Sequence, residues 1–112
     1  MITCFIRYEL DPYKLADFEA YARVWHAAIP RCGGDLVGYF APHEGSNTTA
    51  YALINFDSLA SYEAYRARLR EDAECRANFE FNLREQFISK EERLFLRPVS
   101  GPYTSLPPAT QT

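Results

Sequence analysis

From Ile2 to Leu10 the chain alternates, placing Ile2, Cys4, Ile6 and Tyr8 on one side and Thr3, Phe5, Arg7 and Glu9 on the other. A period of two predicts a strand, and Asp11-Pro12 ends it. The period then changes. Between Lys14 and about Arg31, Leu15, Phe18, Ala22, Trp25 and Ile29 recur at steps of three and four, one apolar stripe along a helix. Gly33-Gly34 follows, the left-handed stop that helix C-termini favour. Leu36–Ala41 and Ala50–Phe56 read as two strands of a hairpin, joined by residues 42–48, whose Pro42, Gly45 and Asn47 suit a turn. Asp57 or Ser58 can cap a second helix through Leu59, Tyr62, Tyr65 and Leu69 to about Glu71. Cys75, Phe79, Leu83 and Phe87, four apart, predict a further helical piece. Alternation returns from Arg93 to Val99 as a last strand. Residues 1–99 make one domain in this reading. Residues 100–112, holding three of the seven prolines, form a tail with only Tyr103 and Leu106 as anchors.

The order β-α-β-β-α-(α)-β with right-handed crossovers gives an α+β fold of ferredoxin-like layout, an antiparallel sheet with helices on one face. If Ile2, Cys4, Ile6, Ala52, Ile54, Phe56, Leu94 and Leu96 turn toward the helices, the other face keeps Phe5, Tyr51, Leu53 and Phe95. Such a face is an exposed apolar patch, and a second copy of the chain is the commonest cover. A homodimer is therefore expected. Arg7, Asn55, Arg93 and Arg97 fall on that same face, so the space between two sheets would be part polar, either a plain interface or a ligand cavity.

Composition narrows the classes. At 112 residues there is room for one core, and an apolar share of 47% with 15% aromatic residues is ample to fill it. The net charge of -3 comes from interspersed charges without a basic stripe, so nucleic acid is not an expected partner. Arg7, Arg23, Arg31 and Asp35 interrupt any apolar run long enough to span a membrane, and Met1–Arg7 carries no leader pattern, so a soluble cytoplasmic protein is expected. Cys4, Cys32 and Cys75 match neither a disulfide framework nor a CxxC motif and read as buried thiols.

The run Phe5-Ile6-Arg7-Tyr8-Glu9-Leu10-Asp11-Pro12-Tyr13-Lys14-Leu15, the helix ending near Trp25, Gly38-Tyr39-Phe40 with Glu44-Gly45-Ser46-Asn47, and Phe56-Asp57-Ser58-Leu59-Ala60-Ser61-Tyr62 together resemble the NIPSNAP family over roughly residues 2–98. The resemblance implies a dimeric α/β barrel, two ferredoxin-like units closing their sheets around a shared interior. The wider superfamily includes cofactor-independent monooxygenases, haem-degrading enzymes and members of no known activity, so fold is implied more sharply than function. The chain departs from the family pattern at Tyr13, where Gly is frequent, and at Cys75, where Trp is frequent.

The histidines are His26, at the edge of the helical stripe, and His43, in the hairpin loop. His43 with Glu44 and Asn47 could act as proton acceptor, orienter and oxyanion donor, although turn chemistry accounts for the same residues. Tyr8, Tyr39 and Tyr51, with Trp25, Arg7 and Asn55, would suit a flat aromatic or acidic molecule, Arg7 pairing with its anionic group; strand packing accounts for the tyrosines as well. No catalytic residue can be assigned. No Ser-His-Asp order, phosphate loop, HExxH or paired zinc spacing is present, so hydrolase and nucleotide-binding readings fall away and neither a metal nor another cofactor is expected. Three functions remain: a dimeric binding module for a small apolar or aromatic ligand, a cofactor-independent or haem-linked monooxygenase-type oxidoreductase, and a purely structural subunit of a larger complex.

Overall fold

In the computed structural model, which describes residues 1–101, seven elements follow in order. They are β1 (Ile2–Leu10), α1 (Leu15–Arg31), β2 (Asp35–Phe40), β3 (Thr49–Phe56), α2 (Leu59–Glu71), α3 (Ala73–Glu85) and β4 (Ile88–Leu96). The strands form one antiparallel sheet in the order β2-β3-β1-β4, with helices packed on one face. This is the ferredoxin-like α+β arrangement that the pattern predicts. The tail from residue 102 onward lies outside the described residues. No helix among those described is long and apolar enough to cross a membrane.

Local chemistry sets the element ends. At the close of α1 the Gly33 N–H donates to the Pro30 carbonyl at 3.1 Å and the Gly34 N–H to that of Ile29 at 2.9 Å. Gly33 adopts φ +105, so this pair of bonds is the left-handed helix stop expected of Gly33-Gly34. Of the two cap candidates for α2, Ser58 serves: its Oγ accepts from the Ser61 N–H at 3.1 Å. Asp72 caps α3 in the same way, accepting from the Cys75 N–H at 3.1 Å.

Cys4, Ile6, Tyr8 and Leu10 from β1 are buried, as are Ala50, Ala52, Ile54 and Phe56 from β3. Over them lie Phe18, Tyr21, Trp25, Ala28 and Ile29 of α1 and Tyr65 and Leu69 of α2. The four-residue stripe expected of the third helix is only partly kept. Cys75 is buried, whereas Leu83 is exposed, and Phe87 reaches the core only after Gln86 turns the chain at φ 53. A step of four overruns the 3.6-residue turn, so the stripe drifts off the contact.

The last strand departs from expectation in two ways. It begins at Ile88, five residues earlier than the alternation suggests, because Ser89-Lys90-Glu91-Glu92 hides an edge strand that pairs only with β1. Its phase is also reversed. Cys4 faces Phe95 and Phe5 faces Leu94 across the ladder, and directly opposed residues share a face. Phe95 and Arg93 therefore lie on the helix side, where the Phe95 ring meets Tyr62 at 4.7 Å and Arg93 Nη1 donates to the Tyr62 hydroxyl at 2.7 Å. Leu94 and Leu96, expected in the core, are on the open face. Apolar residues occupy both phases of this strand, so only the register with β1 decides which set is covered.

Candidate functional site

The open face of the sheet carries Phe5, Tyr51 and Leu53, all partly buried, with Leu94, Leu96 and Phe40 more exposed. Strand pairing lines them up: Leu94 opposes Phe5, Phe5 opposes Leu53, and Leu53 opposes Gly38. The Phe5 and Tyr51 rings touch at 5.3 Å. The result is a continuous apolar strip across the sheet, richer than expected because Leu94 and Leu96 replace Phe95 and Arg93.

At one corner of this face, Arg7 and Tyr51 meet the loop after β2 in a cleft of about 320 Å³ that Phe40, His43, Glu44 and Thr49 also line. Arg7 reaches the cleft by facing Tyr51 across the ladder, and its Nη2 donates to Glu9 Oε1 at 3.1 Å. Four of the eight residues singled out from sequence therefore come together: Arg7, His43, Glu44 and Tyr51. Asn47 is exposed in the same loop and does not line the cleft. Asn55 is on the open face but farther along β3. It accepts from Thr3 Oγ1 at 2.7 Å and donates to Asp35 Oδ2 at 3.2 Å, so its amide cross-links three strands.

Trp25 and Tyr39 are elsewhere. The expectation that they line one cavity with Arg7 and Asn55 is corrected by the fold: α1 and the helix-facing phase of β2 put both under the helices. Tyr39 faces Ala52 and its hydroxyl lies 3.1 Å from that of Tyr8. There a small cavity of about 20 Å³, room for a single water molecule, is bounded by Tyr8, Tyr21, Trp25, Tyr39, Tyr65 and Arg93. Trp25 Nε1 and Arg93 Nε are buried beside it without a hydrogen bond of ordinary geometry. Burial pushes the Tyr21 phenol up to about 12, with the nearby Trp25 indole pulling the other way. Burial likewise raises Tyr65, and raises Tyr8 and Tyr39 well above the usual phenol range. These phenols stay protonated as hydrogen-bond donors at neutral pH. Neither histidine borders this cavity; His26 instead lines a groove of about 360 Å³ between α1 and β2.

The family model for NIPSNAP matches residues 3–102. The chain belongs to the NIPSNAP family. Among solved structures, this NIPSNAP chain is similar to protein Atu4242 from Agrobacterium tumefaciens, at 20% identity and a TM-score of 0.77 over 95% of this chain and 99% of that one. An uncharacterized NIPSNAP-like domain protein from Burkholderia xenovorans shares 26% identity at a TM-score of 0.75, over 98% of this chain and 94% of that one. A Nitrosomonas europaea protein provisionally described as an antibiotic biosynthesis monooxygenase shares only 10% identity, yet superimposes with a TM-score of 0.69 over 89% of this chain and 100% of its own. At that identity the likeness is one of fold. Among curated proteins no match was found.

Sequence reasoning missed one further grouping in this NIPSNAP fold. Cys32, at the end of α1, and Cys75, in the first turn of α3, come together with Asp72, their ligand atoms all within 4.8 Å of one another. Arg31 donates to both Asp72 oxygens, at 3.0 and 2.9 Å, and to Glu74 at 3.1 Å. The cysteines are 43 positions apart in the chain, counted from 32 to 75, so no local spacing could have announced the pair.

Proposed function

We propose that the protein is a homodimeric binding module, two open sheet faces meeting so that a small apolar or aromatic molecule with an anionic group is held at the Arg7–Tyr51 corner. The observation that carries this is the apolar strip of Phe5, Leu53, Leu94 and Leu96 running beside a cleft that contains a guanidinium and a phenol. Uncovered, such a strip is costly in water; covered by a twin, it becomes the wall of an enclosed space with the cleft at its rim. The Arg7 guanidinium supplies a forked donor for a carboxylate, and the Tyr51 and Phe40 rings supply faces for stacking. The test is fluorescence titration with an anionic aromatic probe, anilinonaphthalene sulfonate. Saturable binding in the wild type that weakens in Arg7→Ala and in Tyr51→Ala supports the reading; equal binding by all three sinks it.

A second reading, a monooxygenase-type oxidoreductase, is favoured by the other cavity. There, protonated tyrosines, the Trp25 indole and the Arg93 guanidinium converge on a space with two unanswered N–H groups. Donors of that kind can hold a small reduced oxygen species. Oxygen uptake with a hydroquinone substrate, lost in Trp25→Phe, is the result that would promote this reading over the first.

A further inference from the structure

The structure assigns Cys32, Cys75 and Asp72 a function: together they form a binding site for a thiophilic divalent cation, zinc by chemistry. Three ligand atoms converge, not two. Cys32 is fixed by the C-terminal stop of α1, its carbonyl accepting from Arg68 Nη1 at 3.1 Å, and Cys75 by the start of α3, where its N–H donates to Asp72 Oδ1 at 3.1 Å. Both thiols are buried, while the Asp72 side chain keeps 21% exposure and leaves an approach from solvent.

Ligand type selects the ion. Calcium and magnesium take oxygen donors, whereas two sulfurs and a carboxylate suit zinc or its soft congeners. A tetrahedral zinc with Zn–S near ~2.3 Å sets its ligand atoms about 3.8 Å apart. The observed ceiling of 4.8 Å therefore asks any two ligand atoms to approach by at most about 1 Å. Binding releases the two thiol protons to solvent, and a water molecule completes the coordination on the exposed side. Two thiolates and a carboxylate around a divalent ion leave one net negative charge, which Arg31 neutralises. Arg31 is already shared with Glu74 at 3.1 Å, so it keeps a carboxylate partner when one Asp72 oxygen turns to the ion. Arg31 is thus a positioning residue of the site.

The site can be tested on the full-length chain, reduced with a phosphine and kept free of oxygen, by titration with Co²⁺ and competition with Zn²⁺. One cobalt per chain is expected, with thiolate-to-cobalt charge-transfer absorption and the intense visible bands of a four-coordinate site, both bleached by zinc. Cys4→Ser, which removes a sulfur in the core beneath the sheet, keeps these signals. Cys32→Ser and Cys75→Ser lose the charge-transfer band or weaken cobalt affinity at least about tenfold. Asp72→Asn preserves the helix cap, weakens affinity by a similar factor and shifts the visible bands. Because a serine could unsettle the core, the melting temperature is a second readout: zinc raises it in the wild type and raises it less in Asp72→Asn at the same concentration. A reduced wild type with its three thiols free and no cobalt–sulfur absorption overturns the proposal, as do bands of undiminished intensity and unchanged cobalt affinity in both serine variants.

Discussion

Replacing Leu94 by aspartate separates two readings of the last strand. Leu94 keeps 55% exposure in the single chain and lies on the open face, while its neighbour Phe95, 40% exposed, packs on Tyr62 under the helices. If the open faces pair, the remaining half of Leu94 becomes buried, worth about 1–1.5 kcal/mol from a full burial of ~2–3 kcal/mol. Two-fold symmetry counts that loss twice, giving ~2–3 kcal/mol per dimer. Each aspartate adds at least about 1 kcal/mol for desolvating a polar group without a partner. The sum is no less than about 4 kcal/mol, or about a thousandfold weaker association. Leu94→Asp should therefore sediment as a monomer at concentrations where the wild type is dimeric, with unchanged circular dichroism. Phe95→Asp should instead lower the melting temperature of the chain itself. A Leu94→Asp protein as dimeric as the wild type, or a wild type that stays monomeric across several decades of concentration, would refute the reasoning.

Alkaline stability follows from the buried phenols. Tyr21 ionises at 10.0 when unfolded and at about 12 when folded, so its contribution is complete below pH 10 and is lost as pH rises through about 12. That window is worth roughly 3 kcal/mol; urea unfolding at rising pH should show the decline, and Tyr21→Phe should flatten it. Ser58→Ala removes the cap of α2 and should cost ~1 kcal/mol by the same assay, with Ser58→Asn close to neutral. At Gly34 an added Cβ would sit 2.7 Å from Ile29 Cγ2 and 3.0 Å from Ile54 Cγ2. Gly34→Ala should therefore destabilise by about 1–3 kcal/mol, and Ile29→Leu in the same chain, which removes the Cγ2 branch nearest the new methyl, should recover part of the loss; additive losses in the double variant would contradict the contact.

The chain's own chemistry determined the order of elements, the stop at Gly33-Gly34, a cap of α2 at Asp57 or Ser58 and the inward phase of β1 and β3, because each depends on residues near one another in sequence. The Arg7 and Tyr51 half of the candidate site was legible for the same reason, since alternation puts both on the face opposite Ile6 and Ala52. Pairing between distant segments decided the rest. Register with β1 turned Leu94 outward and Arg93 inward; the packing of α1 carried Trp25 away from Arg7; and the meeting of α1 with α3 brought Cys32 to Cys75. Each of those is a contact across many residues, which periodicity along the chain does not encode.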